Sequence, residues 1–447
     1  MNNGANSKYL VAVIGAGPAG LFASRQLAAA GANVALFNRD IKPGGLAEYG
    51  IYYDKYKMKE GLRKQFRNIL ATSQIHYFGN IQIGQNKDLS LPELRAMGFQ
   101  AILVTVGAQG TKWLGLPGED LRGVYHAKDL VYHYNKLPPY SVQPYLIGKR
   151  VALIGAGNVM LDIAHWLIWD LKVDDVVAVV RRGPAEVKFT KKELEYVAGN
   201  IDQLALQAEF DRVAPVMLSL GQDIQAAKDF IFSAIPKAED SGSRTRFRFD
   251  FLASPVRIQG EEGHVCGLEI ENTTLVAGRG EPQARRLGTR RVIPADTVIF
   301  CIGDKVDENF GLPVRWNEYV KNVNPRYPVN GISYEAYNPD LEVPVDRVFV
   351  AGWSREASHG LVGIARKDGE CGAQAVQQYL QTLPELVGKA EAQNNINRRL
   401  EALKKPIITQ KELLRLEEIE EKRAQQNDLE EFKFGTNDEM LAAIGMG

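Results

Sequence analysis

The sequence predicts an α/β fold that carries the same strand–glycine turn–helix–strand unit twice. Three observations predict it. The apolar run Tyr9–Ile14 leads into Gly15-Ala16-Gly17-Pro18-Ala19-Gly20, and Arg150–Ile154 leads into Gly155-Ala156-Gly157-Asn158-Val159-Met160. The strand that follows each unit then ends differently, on Asn38-Arg39 in the first and on Arg181-Arg182 in the second.

Composition sets the outer bounds. A chain of 447 residues is long enough for two or three domains with filled cores. Lys+Arg and Asp+Glu both number 54, so net charge gives no reason to expect nucleic acid or an anionic membrane as partner. No apolar run approaches the roughly 20 residues of a membrane helix. Cys266, Cys301 and Cys371 stand far apart with no Cys-x-x-Cys, which excludes a redox dithiol and a cage of neighbouring thiols for an iron–sulfur cluster. With no metal-ligand cluster in view and no targeting pattern in its first residues, the chain is expected to be cytoplasmic.

In chain order, Lys8–Ile14, Gly20–Ala30 and Asn33–Phe37 read as strand, helix and strand, with Gly31 at the turn. Lys57–Leu70 has the spacing of an amphipathic helix, and Ala101–Val106 is a buried strand closed by Gly107. The second unit runs through Arg150–Ile154, Val159–Trp169 and Val176–Val180. Residues 245–302 read as antiparallel or mixed strands between Gly/Pro turns, Arg347–Gly352 as a short strand, and Gly360–Tyr379 as a helix. Thr409 with Glu412 fits a capping box for a charged helix to about residue 425, polar on most faces and expected to lie over the surface or against a partner. The expected domains are 1–110 and 325–447 for the first unit and 111–324 for the second.

Glycines at these spacings let the backbone turn tightly, approach a pyrophosphate and aim a helix N-terminus at its charge, so both units read as Rossmann-like dinucleotide-binding domains. Gly15, Gly17, Pro18, Ala19 and Gly20 form the first turn. An acid is expected about 20 residues on to hold a ribose hydroxyl; Asn38 stands there instead, followed by Arg39, and suits either a neutral ribose contact or a plain turn. Gly44, Gly45 and Leu46 would let a flat cofactor approach closely. In the second turn, Gly155, Gly157, Asn158 and Val159 keep the pyrophosphate geometry while Met160 takes the third glycine's place. Arg181-Arg182 offers two guanidinium groups where NAD would want an acid, which favours the 2′-phosphate of NADP. Asp162 and Glu193 are placed to contact a nicotinamide carboxamide or ribose, although a carboxylate on a helix is more often simply solvated.

Gly15–Gly20, Pro117-Gly118-Glu119, Gly155–Val159, Arg181–Pro184, Phe189-Thr190 and Gly352-Trp353 with Gly360 together resemble the adrenodoxin reductase family of ferredoxin–NADP reductases over nearly the whole chain. A more distant likeness is to the small subunit of glutamate synthase. The resemblance implies FAD on the first unit and NADP on a second unit inserted into it. It implies a flavin-cupping segment at Gly352, Trp353, Gly360, Leu361 and Val362; Trp353 joins Asp162 and Glu193 as a candidate catalytic residue. It places an adenine contact at Ile83 and a domain crossing at Gly107.

Three departures stand out: Asn38 for the flavin-ribose acid, Lys55 for a histidine, and Glu356-Ala357-Ser358 with His359 where the family has Arg-Gly-Pro. The implied activity is electron transfer between NADP(H) and a ferredoxin-type iron–sulfur carrier. Two alternatives stay open, a flavin subunit of a larger complex with an iron–sulfur subunit and a non-catalytic FAD/NADP sensor. Lys64 with Arg67, Arg244/Arg246/Arg248, and Arg285-Arg286 with Arg290-Arg291 are candidate docking clusters for an acidic carrier.

Overall fold

The computed structural model describes residues 8–278, 280–358, 360–386 and 388–447. His359 and the first seven residues, on which two of the readings above fall, lie outside them. The chain divides into two compact units. Unit 1 takes the described parts of Met1–Gly110, Tyr132–Val142 and Asp304–Gly447; unit 2 takes Thr111–Val131 and Gln143–Gly303. The return to unit 1 falls at Asp304, not after residue 324. Val306, Phe310, Leu312 and Tyr319 already pack into a unit 1 core with Leu10 and Ile14, so the crossing comes directly after the last strand of unit 2's parallel sheet.

Unit 1 is built on a six-stranded sheet. Strands β1 (Tyr9–Ile14), β2 (Ala32–Phe37), β3 (Ile75–Phe78) and β4 (Ala101–Val104) run parallel with part of Val343–Val350, and Glu335–Asn338 closes the edge antiparallel. In β1 the side chains of Val11 and Val13 enter one core layer and those of Leu10, Ala12 and Ile14 the other. This is why the strand reads as a continuous apolar run and not as an alternating one. The helix α1 (Pro18–Ala29) and the helix Val362–Leu380 cover one face. Gly369 lets them touch, since a Cβ there would fall 2.2 Å from the Ala19 carbonyl oxygen.

Unit 2 repeats the plan with five parallel strands in the order Val124–His126, Thr297–Phe300, Arg150–Ile154, Asp175–Val180, Arg246–Phe251. A three-stranded antiparallel sheet of Ala253–Glu261, His264–Val276 and Gln283–Pro294 follows. The parallel–antiparallel mixture expected for residues 245–302 is therefore split between two sheets.

The charged C-terminal helix Gln410–Gln426 forms with its Thr409–Glu412 capping box, but it does not lie loosely over the surface. Leu413, Leu416, Glu420 and Ala424 make a buried stripe, and Leu413 and Leu416 join Phe434, Met440, Leu441 and Ile444 in a unit 1 core. Beneath this segment lies a buried charge network. Glu48, 3% exposed, accepts two bonds from Arg63 and pairs with Lys433 at 2.8 Å, while Lys42 pairs with Glu420. Burial alone would raise the Glu48 carboxyl; Lys433, Lys42 and Arg63 reverse this and hold it well below the usual carboxylate range. Among the described residues no helix is long and apolar enough to cross a membrane, and no side-chain cluster could hold a metal ion.

Lys59, on the helix Tyr56–Leu70, is fully buried with its Nζ donating to Asn135 Oδ1 at 2.6 Å. Burial, then the nearby Lys433 charge, pushes its ammonium down to about 7 from an ordinary value of 10.5. The folded value lies below the unfolded one, so between these limits the folded state binds fewer protons and stability rises with pH. The cost of Lys59 is full below the window and fades as pH rises through it. Urea unfolding should therefore show Lys59→Met gaining most over the wild type near pH 6, with the gain shrinking toward pH 10. A gain that does not change with pH would rule out Lys59 as the titrating group.

Candidate functional site

In both units the glycine turn leaves the central strand where the order of the sheet reverses, the position at which doubly wound sheets take ligands. In unit 1, Gly15 has φ +103°, and a Cβ there would lie 2.5 Å from the Thr105 carbonyl oxygen. Gly20 sits against Gly15 itself; a Cβ would meet the Gly15 oxygen at 1.9 Å and Thr105 Oγ1 at 2.6 Å. The Thr105 hydroxyl bonds both the Ile14 and Gly15 carbonyls at 2.9 Å. Gly17 is the N-cap of α1, with Pro18 at its first position, and a Cβ on Gly17 would meet nothing within 4 Å. The turn is thus closed on its protein side and open over the helix N-terminus, where the first N–H groups and the helix dipole favour an anion.

Two further segments close on this turn. Gly44 donates to the Ala16 carbonyl at 2.7 Å, and a Cβ on Gly45 would lie 3.2 Å from the Gly17 Cα, so Gly45 and Leu46 flank the open face. Gly352, with φ +65°, lies against Ala19, where a Cβ would fall 2.7 Å from the Ala19 Cβ. The structure therefore brings Gly15–Gly20, Gly45 and Gly352-Trp353 together in unit 1. Gly107 is tied to them through its N–H, which donates to Ser354 Oγ at 3.0 Å. Ile83 stands apart, bridged to Leu89. Leu361 is the exposed N-cap of Val362–Leu380, and Gly360 precedes it with φ +73°.

Asn38 is 7% exposed and is spent on the protein. Its Oδ1 accepts from Ala16 N–H at 3.0 Å, and its Nδ2 donates to the carbonyls of Asp40 and Lys42 at 2.9 and 3.0 Å. Both amide hydrogens are used, so as a ribose contact Asn38 retains only a second acceptor lone pair. Arg39 is held by Asp40 and Gln109.

The segment departing from Arg-Gly-Pro is pinned despite its composition. Glu318 accepts from Ala357 N–H at 3.2 Å, Ser358 Oγ accepts from Asp304 N–H at 2.9 Å, and Lys321 donates to the Arg355 carbonyl at 2.5 Å. Asp368, which no sequence pattern marked, fixes the start of this strap. It accepts from Gly352 N–H at 2.6 Å, from Arg355 at 2.6 Å and from the Tyr334 hydroxyl at 3.1 Å. Burial would lower the Arg355 guanidinium, but Asp368 more than offsets this and keeps it raised.

Unit 2 follows the same scheme with different chemistry. Gly155 has φ +142°, and a Cβ there would lie 2.3 Å from the Cys301 carbonyl oxygen; Gly157 caps the helix Asn158–Trp169 and faces open space. Asn158 Oδ1 accepts from Thr190 N–H at 2.8 Å, and Val159 is exposed on the first turn. Arg181 and Arg182 follow Asp175–Val180 directly, with their carbonyls held by Thr273 Oγ1 at 2.8 Å and Leu252 N–H at 3.1 Å. Lys188, also unmarked by any pattern, is tied to the turn by its N–H on the Ala156 carbonyl at 2.8 Å. Asp162 and Glu193 lie on unit 2 helices and Trp353 on unit 1, so the three candidate catalytic residues are divided between the units.

The docking clusters are largely neutralised. Arg246 and Arg248 both pair with Asp175, Arg286 with Glu271, Arg290 with Glu269, Arg291 with Asp250, and Arg67 with Glu60 and Glu417.

With this geometry, residues 9–201 match the family model of the pyridine nucleotide-disulphide oxidoreductases. The chain is 31% identical over 396 residues to the NADPH-ferredoxin reductase FprA of Mycobacterium leprae, covering 80% of this chain and 81% of that protein. It is 28% identical to the mitochondrial NADPH:adrenodoxin oxidoreductase of Arabidopsis thaliana, covering 85% and 83%. Mycobacterium tuberculosis FprA, solved in complex with NADPH, superposes with a TM-score of 0.80 at 25% identity over 98% of this chain and all of that one. Fold and site define a pyridine-nucleotide oxidoreductase with two Rossmann-like dinucleotide-binding domains, the second inserted into the first. More narrowly, the chain belongs to the family of the NADPH–ferredoxin and NADPH:adrenodoxin reductases.

The glycine geometry separates stability from binding. Gly20→Ala must push the turn open and should cost about 1–3 kcal/mol in denaturant unfolding of the nucleotide-free protein. Gly17→Ala, whose Cβ meets nothing, should unfold like the wild type, within about 0.5 kcal/mol, yet lose bound dinucleotide because the methyl occupies the open face. A Gly17→Ala protein that purifies with its full complement of cofactor would contradict this assignment.

Proposed function

We propose that the chain transfers electrons between NADP(H) and a one-electron iron–sulfur carrier of the ferredoxin type, in either direction, through FAD held on unit 1. The observation that carries the reading is the repeated glycine turn, with a basic pair after only the second. The names of the relatives, NADPH–ferredoxin reductase and NADPH:adrenodoxin oxidoreductase, supply the carrier class. Free, widely spaced cysteines argue against a dithiol acceptor and suit a cytoplasmic enzyme.

In this reading the N-terminus of α1 with Gly15, Gly17, Ala19 and Gly45 holds the FAD pyrophosphate, and Asn38 locks that turn to β2. The Gly352-Trp353 strap and the segment Gly360–Val362 orient the flavin ring. Gly155, Gly157 and the helix behind them hold the NADP pyrophosphate, while Arg181 and Arg182 select its 2′-phosphate. The chemistry a bound FAD supplies is the exchange of a two-electron hydride for single electrons. The protein supplies position and charge.

Anaerobic stopped-flow mixing should bleach the flavin at least about tenfold more efficiently with NADPH than with NADH, and Arg181→Ala/Arg182→Ala should erase most of that preference. The NADPH-reduced wild type should then reduce a ferredoxin. Equal rates with both nucleotides in the wild type would sink the role of the arginine pair, and a yellow protein that neither nucleotide reduces would sink the enzyme reading.

A further inference from the structure

Outside the residues assigned so far, one carboxylate in unit 2 is held the way a phosphate would be held. Arg182 Nη1 donates to Glu281 Oε2 at 2.5 Å, and Lys188 Nζ donates to Glu281 Oε1 at 2.5 Å. Two oxygens of a single anion thus bridge two cations, and the first of these cations belongs to the pair already read as the 2′-phosphate contact. The backbones that carry the cations are fixed. Lys188 N–H is bonded to the Ala156 carbonyl inside the glycine turn, and Leu252 N–H holds the Arg182 carbonyl. Glu281 lies between the strands His264–Val276 and Gln283–Pro294, and its side chain is 56% exposed. Arg181, the neighbour of Arg182 in sequence, is exposed.

We propose that Lys188 is a third cation of the 2′-phosphate site and that Glu281 is its built-in counter-ion, displaced when the nucleotide's phosphate arrives. This rests on the reading of unit 2 as the NADP unit. The exchange is chemically asymmetric. A phosphate monoester carries close to two negative charges and three acceptor oxygens, against one charge and two oxygens for the carboxylate, so the phosphate wins on the same cations. Glu281 makes the cations compatible with one another when no nucleotide is bound. It also opposes binding, so it weakens the grip on NADP(H) and favours release. Lys188 acts only on ligands that carry the 2′-phosphate.

The test is calorimetric binding of 2′,5′-ADP and of 5′-AMP to the FAD-loaded protein at one ionic strength. These probes differ only at the 2′-phosphate and need no turnover. Lys188→Gln should weaken 2′,5′-ADP by between about threefold and tenfold. Glu281→Gln should tighten it a few-fold, the size expected when an exposed competing ion pair is removed. Neither variant should change the binding of 5′-AMP. If the wild type prefers 2′,5′-ADP but both variants bind it as the wild type does, the proposal fails and the arginine reading stands. If the wild type binds the two probes equally, both fall. A Glu281→Gln variant that binds 2′,5′-ADP more weakly would make Glu281 a scaffold for the cations and overturn its role as a competitor.

Discussion

Both halves of the protein depend on one contact, in which the first glycine of the turn lies against the carbonyl that ends the neighbouring central strand. Gly15 does this with Thr105 and Gly155 with Cys301, each close enough that a Cβ would fall within 2.5 Å of the oxygen. The same two hydrogen bonds frame the contact each time. Gly15 N–H reaches Phe37 and Gly155 N–H reaches Val179, while Thr105 N–H reaches Ile14 and Cys301 N–H reaches Ile154. Three strand ends are thereby locked at one point, and the helix that starts three residues later has no freedom to point elsewhere. Where the units part is the third glycine. In unit 1 the Gly15 oxygen and the Thr105 hydroxyl occupy the space a side chain would need, so only glycine fits at position 20; in unit 2 Met160 is accommodated fully buried.

The neutral residue at position 38 follows from the same closeness. Asn38 must accept one bond from the glycine turn and donate two to the carbonyls of Asp40 and Lys42. A carboxylate could serve as the acceptor but would face two carbonyl oxygens with nothing to give them. Reading Asn38 as a weakened ribose contact therefore misses what it does. It is the knot between β1, β2 and the Pro43-Gly44-Gly45 loop. Lys433 and Arg63 support that loop from behind, through Glu48.

Local chemistry was legible in the sequence and distant partnership was not. The two units, their order and the capped helix at Thr409 follow from spacing within some thirty residues. The helix Gln410–Gln426 looked polar on most faces because its buried stripe includes Glu420, whose partner Lys42 lies 378 positions away. Asp368 was invisible for the same reason, since its partners Gly352, Arg355 and Tyr334 lie up to 34 residues upstream and none forms a motif with it. The strap around Glu356-Ala357-Ser358 seemed compromised on paper because its compensations, Glu318, Lys321 and Asp304, sit on neighbouring segments.

The contrast in how the two turns are supported bears on how long each ligand stays. Behind the unit 1 turn lie groups that cannot move without exposing buried charge. Glu48, Lys42 and Lys433 are each less than a tenth exposed, and removing any one would strand the others in low dielectric. A cofactor seated there meets a frame already paid for in folding and has little reason to leave between turnovers. In unit 2 the side chains proposed to meet the second nucleotide, half-buried Arg182 and exposed Lys188, are balanced against a carboxylate that solvent can screen. Such a site exchanges one anion for another at small net cost. The proposed function, with a retained FAD and an exchanging NADP(H), calls for such a pair of environments, and one fold supplies both through burial and not through topology.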